Sequence, residues 1–202
     1  MPPVLCMVTE PLNGLDETAL VDRVARAVAG GVHLIQVRQP DLDGGPLLHL
    51  VERCVDVVRG SRARVIVNDR LDVALAAGAH GVHLRTASMP AARLRAIVPA
   101  GFLIGRSVHA SDEAGRVTAA GGLDYLIAGT VFPSPSKPGV AGIGLQGLRA
   151  IVHATALPVL AIGGMSRDMV GPVGETGAAG FAAIGLFARE VPIRFDTPEA
   201  RP

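Results

Sequence analysis

The sequence predicts an α/β fold, a (β/α)8 TIM barrel in a single domain, and three observations carry that expectation. Eight short β-branched runs recur, an amphipathic stretch follows each, and a glycine signature repeats where helix returns to strand. The runs are 4–8, 32–37, 65–67, 81–84, 102–104, 125–127, 159–162 and 181–184. Helical patterns lie between them, around 16–29, 45–59, 70–78, 89–97, 111–120, 145–153 and 167–176, with a short start near 186. The strand runs are almost continuously apolar, so both of their faces must be covered, as in parallel strands joined by crossover helices. The signature is Ala29-Gly30-Gly31, Ala77-Gly78-Ala79, Ala120-Gly121-Gly122 and Thr176-Gly177-Ala178, which places glycine just past a helix, where a left-handed cap suits it. An open doubly wound sheet uses the same caps, but eight units suffice to close a barrel.

At 202 residues the chain is expected to form one domain over 1–202, its last residues, about 12, an extended tail. Hydrophobic residues make up 49% of the sequence, yet the apolar runs break before the ~20 residues that a membrane span needs. The N-terminus has neither the basic segment nor the long apolar stretch of a signal peptide, so the expected compartment is cytoplasmic, with no membrane partner. A net charge of +1, one Tyr and no Trp argue against a nucleic-acid partner. Cys6 and Cys54 have no metal-ligand spacing and are expected as buried free thiols. The sequence leaves a homo-oligomer open.

In a barrel the chemistry sits at the C-terminal strand ends, and polar residues follow the apolar runs there. They are Gln36 and Arg38; Asn68, Asp69 and Arg70; His83 and Arg85; Arg106, Ser107 and His109; Gly129 and Thr130; Gly163, Gly164 and Ser166; and Gly185. Gly163 and Gly164 end a strand ahead of a helix, where bare peptide N–H groups can approach an anion, and Gly185 opens the next helix. These loops predict a phosphate site for a small phosphorylated substrate; tight turns alone are the plainer explanation. The proline-rich connection from Gly129 to Gly144 brings Ser134, Ser136 and Lys137, two hydroxyls and a cation, or is simply a solvated loop. Asp69 either caps the third helix or contacts ligand. Arg38 leaves an apolar strand, which suits an anion partner. His109 is a candidate proton donor or acceptor, or else a hydrogen-bonded wall residue. His33 and His49 are expected to pack structurally, His80 and His153 to lie on the surface.

The motifs IQVRQPD at 35–41, VNDRLDVALAAGAHGVHL at 67–84, IGRSVHASDEA at 104–114, DYLIAGTVFPSPSKPG at 124–139 and AIGGM at 161–165 resemble the thiamine phosphate synthase/TenI family over nearly the whole length. The resemblance implies the barrel, a role in thiamine biosynthesis, and a thiazole phosphate held at Gly163, Gly164, Gly185 and Leu186. Synthases of the family join a pyrimidine pyrophosphate to the thiazole phosphate with an arginine, a lysine and two Mg2+-binding aspartates. Arg38 and Asp69 match, whereas Pro40 stands at the lysine position and Ser88 at the second aspartate, which weakens neutralisation of a leaving pyrophosphate. Ser107, Ser134, Ser136 and Lys137 retain part of the anion site.

TenI-type tautomerases aromatise a thiazole carboxylate phosphate by proton transfer and need no metal. Residues 104–109 resemble that branch, although its proton-transferring histidine falls at Thr130, so His109 or His83 would take the role. The leading expectation is therefore a cofactor-free tautomerase. In it Arg38 and Ser107 orient the carboxylate or ring, Gln36, Asn68 and Asp69 line the substrate, and His109 moves the proton near Thr130. A divergent synthase, with Asp69 on Mg2+, and a non-catalytic binder of thiazole or thiamine phosphate are the alternatives.

Overall fold

The computed structural model describes residues 3–12, 16–134 and 139–188; the expected C-terminal tail lies outside them, as do Ser136 and Lys137. The strands are β1 (Val4–Val8), β2 (Leu34–Val37), β3 (Arg64–Asn68), β4 (Gly81–Leu84), β5 (Leu103–Val108), β6 (Tyr125–Gly129), β7 (Val159–Ile162) and β8 (Gly180–Ala183). The helices that follow them are α1 (Glu17–Ala29), α2 (Gly44–Val58), α3 (Leu71–Ala76), α4 (Ala91–Arg95), α5 (Ser111–Ala119), α6 (Gly144–His153), α7 (Val170–Gly174) and α8 (Gly185–Ala188). Every strand pairs in parallel with its sequence neighbours, and β8 returns to β1 with Val4 opposite Gly180. The open-sheet alternative is thereby removed.

Alternation along each strand divides the core in two. In β3, Val65 and Val67 join the cluster between sheet and helices, while Ile66 points into the barrel. There it meets Cys6, Val8, Leu34, Tyr125, Ile127, Leu160 and Ala182. Tyr125 is the largest of these, and it fits because β5 carries Gly105 beside it: a Cβ there would lie 2.1 Å from the ring carbon Cζ. Closure relies on a similar approach, since a Cβ at Gly180 would stand 2.0 Å from the Val4 carbonyl oxygen.

Some boundaries depart from the sequence reading. β5 runs on to Val108 because Gly105 and Arg106 keep pairing with β4 and β6, and Ser107 with β6, although Arg106 and Ser107 are polar. The seventh helical segment splits into a 3-10 turn, Arg167–Met169, and α7, with Pro172 and two glycines too poor in helix propensity to sustain a longer helix. His33 and His49 are exposed rather than packed, and His33 Nδ1 accepts from the Leu5 N–H at 3.1 Å. His80 is half-buried and accepts likewise from the Val65 N–H at 3.1 Å, so it seals a strand end instead of lying free on the surface. Cys6 and Cys54 are buried free thiols, and burial pushes both up to about 12, which keeps them protonated and inert. No helix among the described residues is long and apolar enough to cross a membrane.

Gly180→Ala is expected to destabilise the protein by about 3 kcal/mol or to prevent folding, because the contact it creates is backbone against backbone. Gly115→Ala, inside α5 with its nearest neighbour 3.7 Å away, should instead stabilise by about 0.5–1 kcal/mol. Urea unfolding of both variants checks the pair.

Candidate active site

The strand ends first hold one another. Thr9, buried just after β1, accepts from the Arg38 N–H at 2.9 Å and from Gln39 Nε2 at 3.1 Å. Gln39 also donates to the Glu10 carbonyl at 2.7 Å and accepts from the Leu12 N–H at 3.0 Å. These bonds fix the backbone at Arg38, while its half-buried guanidinium makes no ion pair or hydrogen bond among the described residues. Beside it, Gln36 Nε2 donates to Asn68 Oδ1 at 3.0 Å, and Gln36 Oε1 is buried with no partner among the described residues. An orphaned buried acceptor costs about 1–3 kcal/mol, so a ligand N–H arriving there would be bound by more than its own bond.

Asp69 does not cap α3; the N-cap position is Arg70, which makes no side-chain capping bond. Its backbone is left-handed, with φ 60°, and turns the carboxylate towards the β4 loop. Oδ2 accepts from Arg85 Nε at 2.7 Å, and Oδ1 accepts from the Ser88 hydroxyl. Partial burial pushes the carboxyl up, but the bonds from Ser88 and Arg85 and the Arg85 charge outweigh it and hold the group below its ordinary value. Arg106, 8% exposed, fastens the same loop from beneath by donating to the carbonyls of Thr86 at 2.6 Å, Ser88 at 3.3 Å and Met89 at 3.4 Å. Arg106 is thus a structural strut, not an anion ligand at the mouth.

Mg2+ takes six oxygens in an octahedron, usually from one or two carboxylates together with waters and substrate phosphates. Here both oxygens of Asp69 are engaged, one by a guanidinium, and no group of three or more His, Cys, Asp or Glu converges among the described residues. Asp69 could hold such an ion beside a bound diphosphate only by giving up its bond to Arg85 or to Ser88.

His83 is 2% exposed, with Nδ1 3.2 Å from the Tyr125 hydroxyl and Nε2 2.9 Å from Ser107 Oγ. Burial foremost, with the Arg106 charge adding to it and Asp69 opposing, lowers its pKa to about 3, which removes His83 as a neutral-pH acid. His109 is exposed; its N–H donates to Glu113 at 2.7 Å, and its ring Nδ1 contacts the Gly129 carbonyl. A carbonyl only accepts, so Nδ1 carries the hydrogen and Nε2 is the acceptor of the neutral ring.

Gly163 and Gly164 adopt φ of 103° and 62°. A Cβ on Gly163 would lie 2.6 Å from Thr130 Cγ2, and one on Gly164 would lie 2.6 Å from Phe132 Cβ. The sixth and seventh loops therefore lie flush, joined by the Phe132 N–H donating to the Gly163 carbonyl at 3.1 Å. Thr130 is buried in that seam, and its loop closes through the Ile143 N–H donating to the Thr130 carbonyl at 2.9 Å. Gly185 is exposed at the head of α8, Leu186 is half-buried behind it, and Ser134 is half-buried in the sixth loop. Thr9 and Gln39 escaped the sequence reading, although Thr9 directly follows an apolar run and Gln39 adjoins Arg38.

A model of the family described as thiamine monophosphate synthase matches residues 5–187. This chain belongs to that family. It is 37% identical over 93% of its length to the thiamine-phosphate synthase of Chlorobium luteolum, covering 86% of that protein. It is 41% identical over 92% of its length to the namesake from Methanoculleus marisnigri, covering 88% of it. Among solved structures, thiamine phosphate pyrophosphorylase from Pyrococcus furiosus superposes with a TM-score of 0.81 at 35% identity, over 93% of this chain and 88% of that one. Membership of the thiamine monophosphate synthase family sets the chemistry within thiamine biosynthesis.

Because Asp69 is held below its ordinary value of 3.8, it contributes stability above that pH and loses it as the pH falls through the lower folded value. Replacing both Arg85 and Ser88 by alanine should raise the Asp69 midpoint, because burial is then left to push it up, as followed by carboxyl NMR titration.

Proposed function

We propose that the chain is a transferase of the thiamine-phosphate synthase type, joining hydroxymethylpyrimidine pyrophosphate to a thiazole phosphate. The similarity to proteins of that name supports the reading. The observation that carries it is Arg38: a guanidinium whose backbone is locked by Thr9, with no carboxylate partner among the described residues, at the rim shared with Gln36, Asn68 and Ser107. In the reaction the bond between the pyrimidine methylene carbon and the diphosphate oxygen breaks, and the thiazole nitrogen lone pair bonds to that carbon. The diphosphate leaves with the electron pair. Arg38 neutralises charge on the leaving group, and Ser107 offers it a hydroxyl. Gln36 Oε1 receives an N–H of the pyrimidine, while the peptide groups at Gly163 and Gly164, with Gly185 and Leu186 opposite, hold the thiazole phosphate. No step is assigned to Mg2+.

One observation favours the tautomerase as a second reading. His109, anchored through Nδ1 on the Gly129 carbonyl, presents Nε2 as a proton acceptor at an exposed position.

Incubation with the two substrates should release pyrophosphate and form thiamine phosphate, and Arg38→Ala should lower kcat/KM by about 10²–10³-fold. If no product forms while the unaromatised thiazole carboxylate phosphate gains aromatic absorbance, and His109→Ala abolishes the gain, the tautomerase takes its place. In calorimetry, Gly164→Asp should weaken thiazole phosphate binding at least about tenfold, since it adds both a clash and a like charge.

A further inference from the structure

A line of polar groups crosses the interior of the barrel, from Tyr125 on β6 through His83 on β4 to Ser107 on β5. Tyr125 is 6% exposed, His83 2%, and Ser107 is half-buried near the C-terminal end of its strand. The neutral imidazole carries one hydrogen, so two arrangements are open. In the first, the Tyr125 hydroxyl donates to Nδ1, and Nε2–H donates to Ser107 Oγ. In the second, Nδ1–H donates to the Tyr125 oxygen, and Ser107 donates to Nε2.

The phenol decides between them. His83 Nδ1 is the sole hydrogen-bond partner of the Tyr125 hydroxyl among the described residues, and burial raises the Tyr125 pKa, so the phenol keeps its proton. The second arrangement would strand that proton in an apolar interior without an acceptor. The first satisfies every buried group and leaves over the hydrogen of Ser107, the member of the line nearest the mouth.

We propose that Tyr125 and His83 are positioning residues that fix Ser107 as a hydrogen-bond donor towards a phosphoryl oxygen of the substrate. The bonds all run one way, so each polarises the next, and a serine oxygen that already accepts from Nε2–H is the better donor. The proposal takes from the transferase reading that Ser107 faces substrate; the tautomer itself is read without any substrate.

The test is a long-range 1H–15N correlation spectrum of the 15N-labelled full chain at neutral pH. His83 is expected as the Nε2–H tautomer, and finding the Nδ1–H tautomer in the wild type overturns the proposal whatever any variant does. Tyr125→Phe keeps the ring over Gly105 but removes the donor to Nδ1; the Nε2–H tautomer should persist while the Nδ1 15N resonance moves downfield, as an imidazole nitrogen that loses a hydrogen bond does, and an unchanged Nδ1 resonance also overturns the idea. Binding of inorganic pyrophosphate, measured by calorimetry, should weaken about tenfold in His83→Leu and in Ser107→Ala, with no further loss in the double variant. His83→Gln, which can place an amide N–H near the Nε2 position, should recover much of the affinity; full additivity of the two losses would count against the relay. Failure to form thiamine phosphate would sink the transferase reading while leaving the tautomer measurement intact.

Discussion

The closure of β8 onto β1 is the constraint on which the rest depends. A parallel strand leaves one row of peptide groups unpaired at each edge of an open sheet, and here the two edges satisfy each other through the Val4 to Met7 register with Gly180 to Ala183. That pairing is possible only where β8 presents no side chain to the Val4 backbone, which is why glycine stands at 180. Once the ring is closed, all strands run the same way, and their eight C-terminal ends gather around one mouth. Residues that are far apart in sequence, such as Thr9, Asn68 and Ser107, become neighbours of a single opening by topology alone.

The mouth is then stiffened by bonds between consecutive strand ends. Thr9 and Gln39 tie the first loop to the second, Gln36 reaches Asn68 on the third strand, Asp69 reaches Arg85 and Ser88 in the fourth loop, and His83 reaches Ser107 on the fifth. The sixth and seventh loops meet through backbone packing at Thr130 and Gly163. Each functional group is thus positioned by the neighbouring strand, which holds it more firmly than its own loop could.

Much of this was legible in the sequence because barrel strands declare themselves by apolar continuity and the site lies where that continuity ends. That rule picks out Gln36, Asn68, Asp69 and Ser107, which the structure brings to the strand-end rim. What escaped is physical in origin. β5 looked shorter because Arg106 and Ser107 are polar, yet strand pairing is a backbone property that polarity does not interrupt. Histidine burial was misjudged at positions 33, 49 and 80 because solvent access there depends on how the neighbouring helices seat. The partners of Asp69 were also hidden: a left-handed turn aims its carboxylate at the next loop, and φ is not written in residue type outside glycine.

Ser88 shows how local electrostatics and function are coupled at this rim. Two carboxylates held at hydrogen-bond distance repel, and one must take up a proton or both must share a cation. With Ser88 beside Asp69 the pair is instead a donor and an acceptor, and Arg85 supplies positive charge. The cluster is then self-neutralised, whereas a like-charged pair would demand an ion. Asp69 spends its charge on Arg85, whereas Arg38 on the adjacent strand end has no ion-pair partner among the described residues. In the proposed transferase, a diphosphate bound at the β2 end would therefore meet a guanidinium whose backbone is already fixed by Thr9.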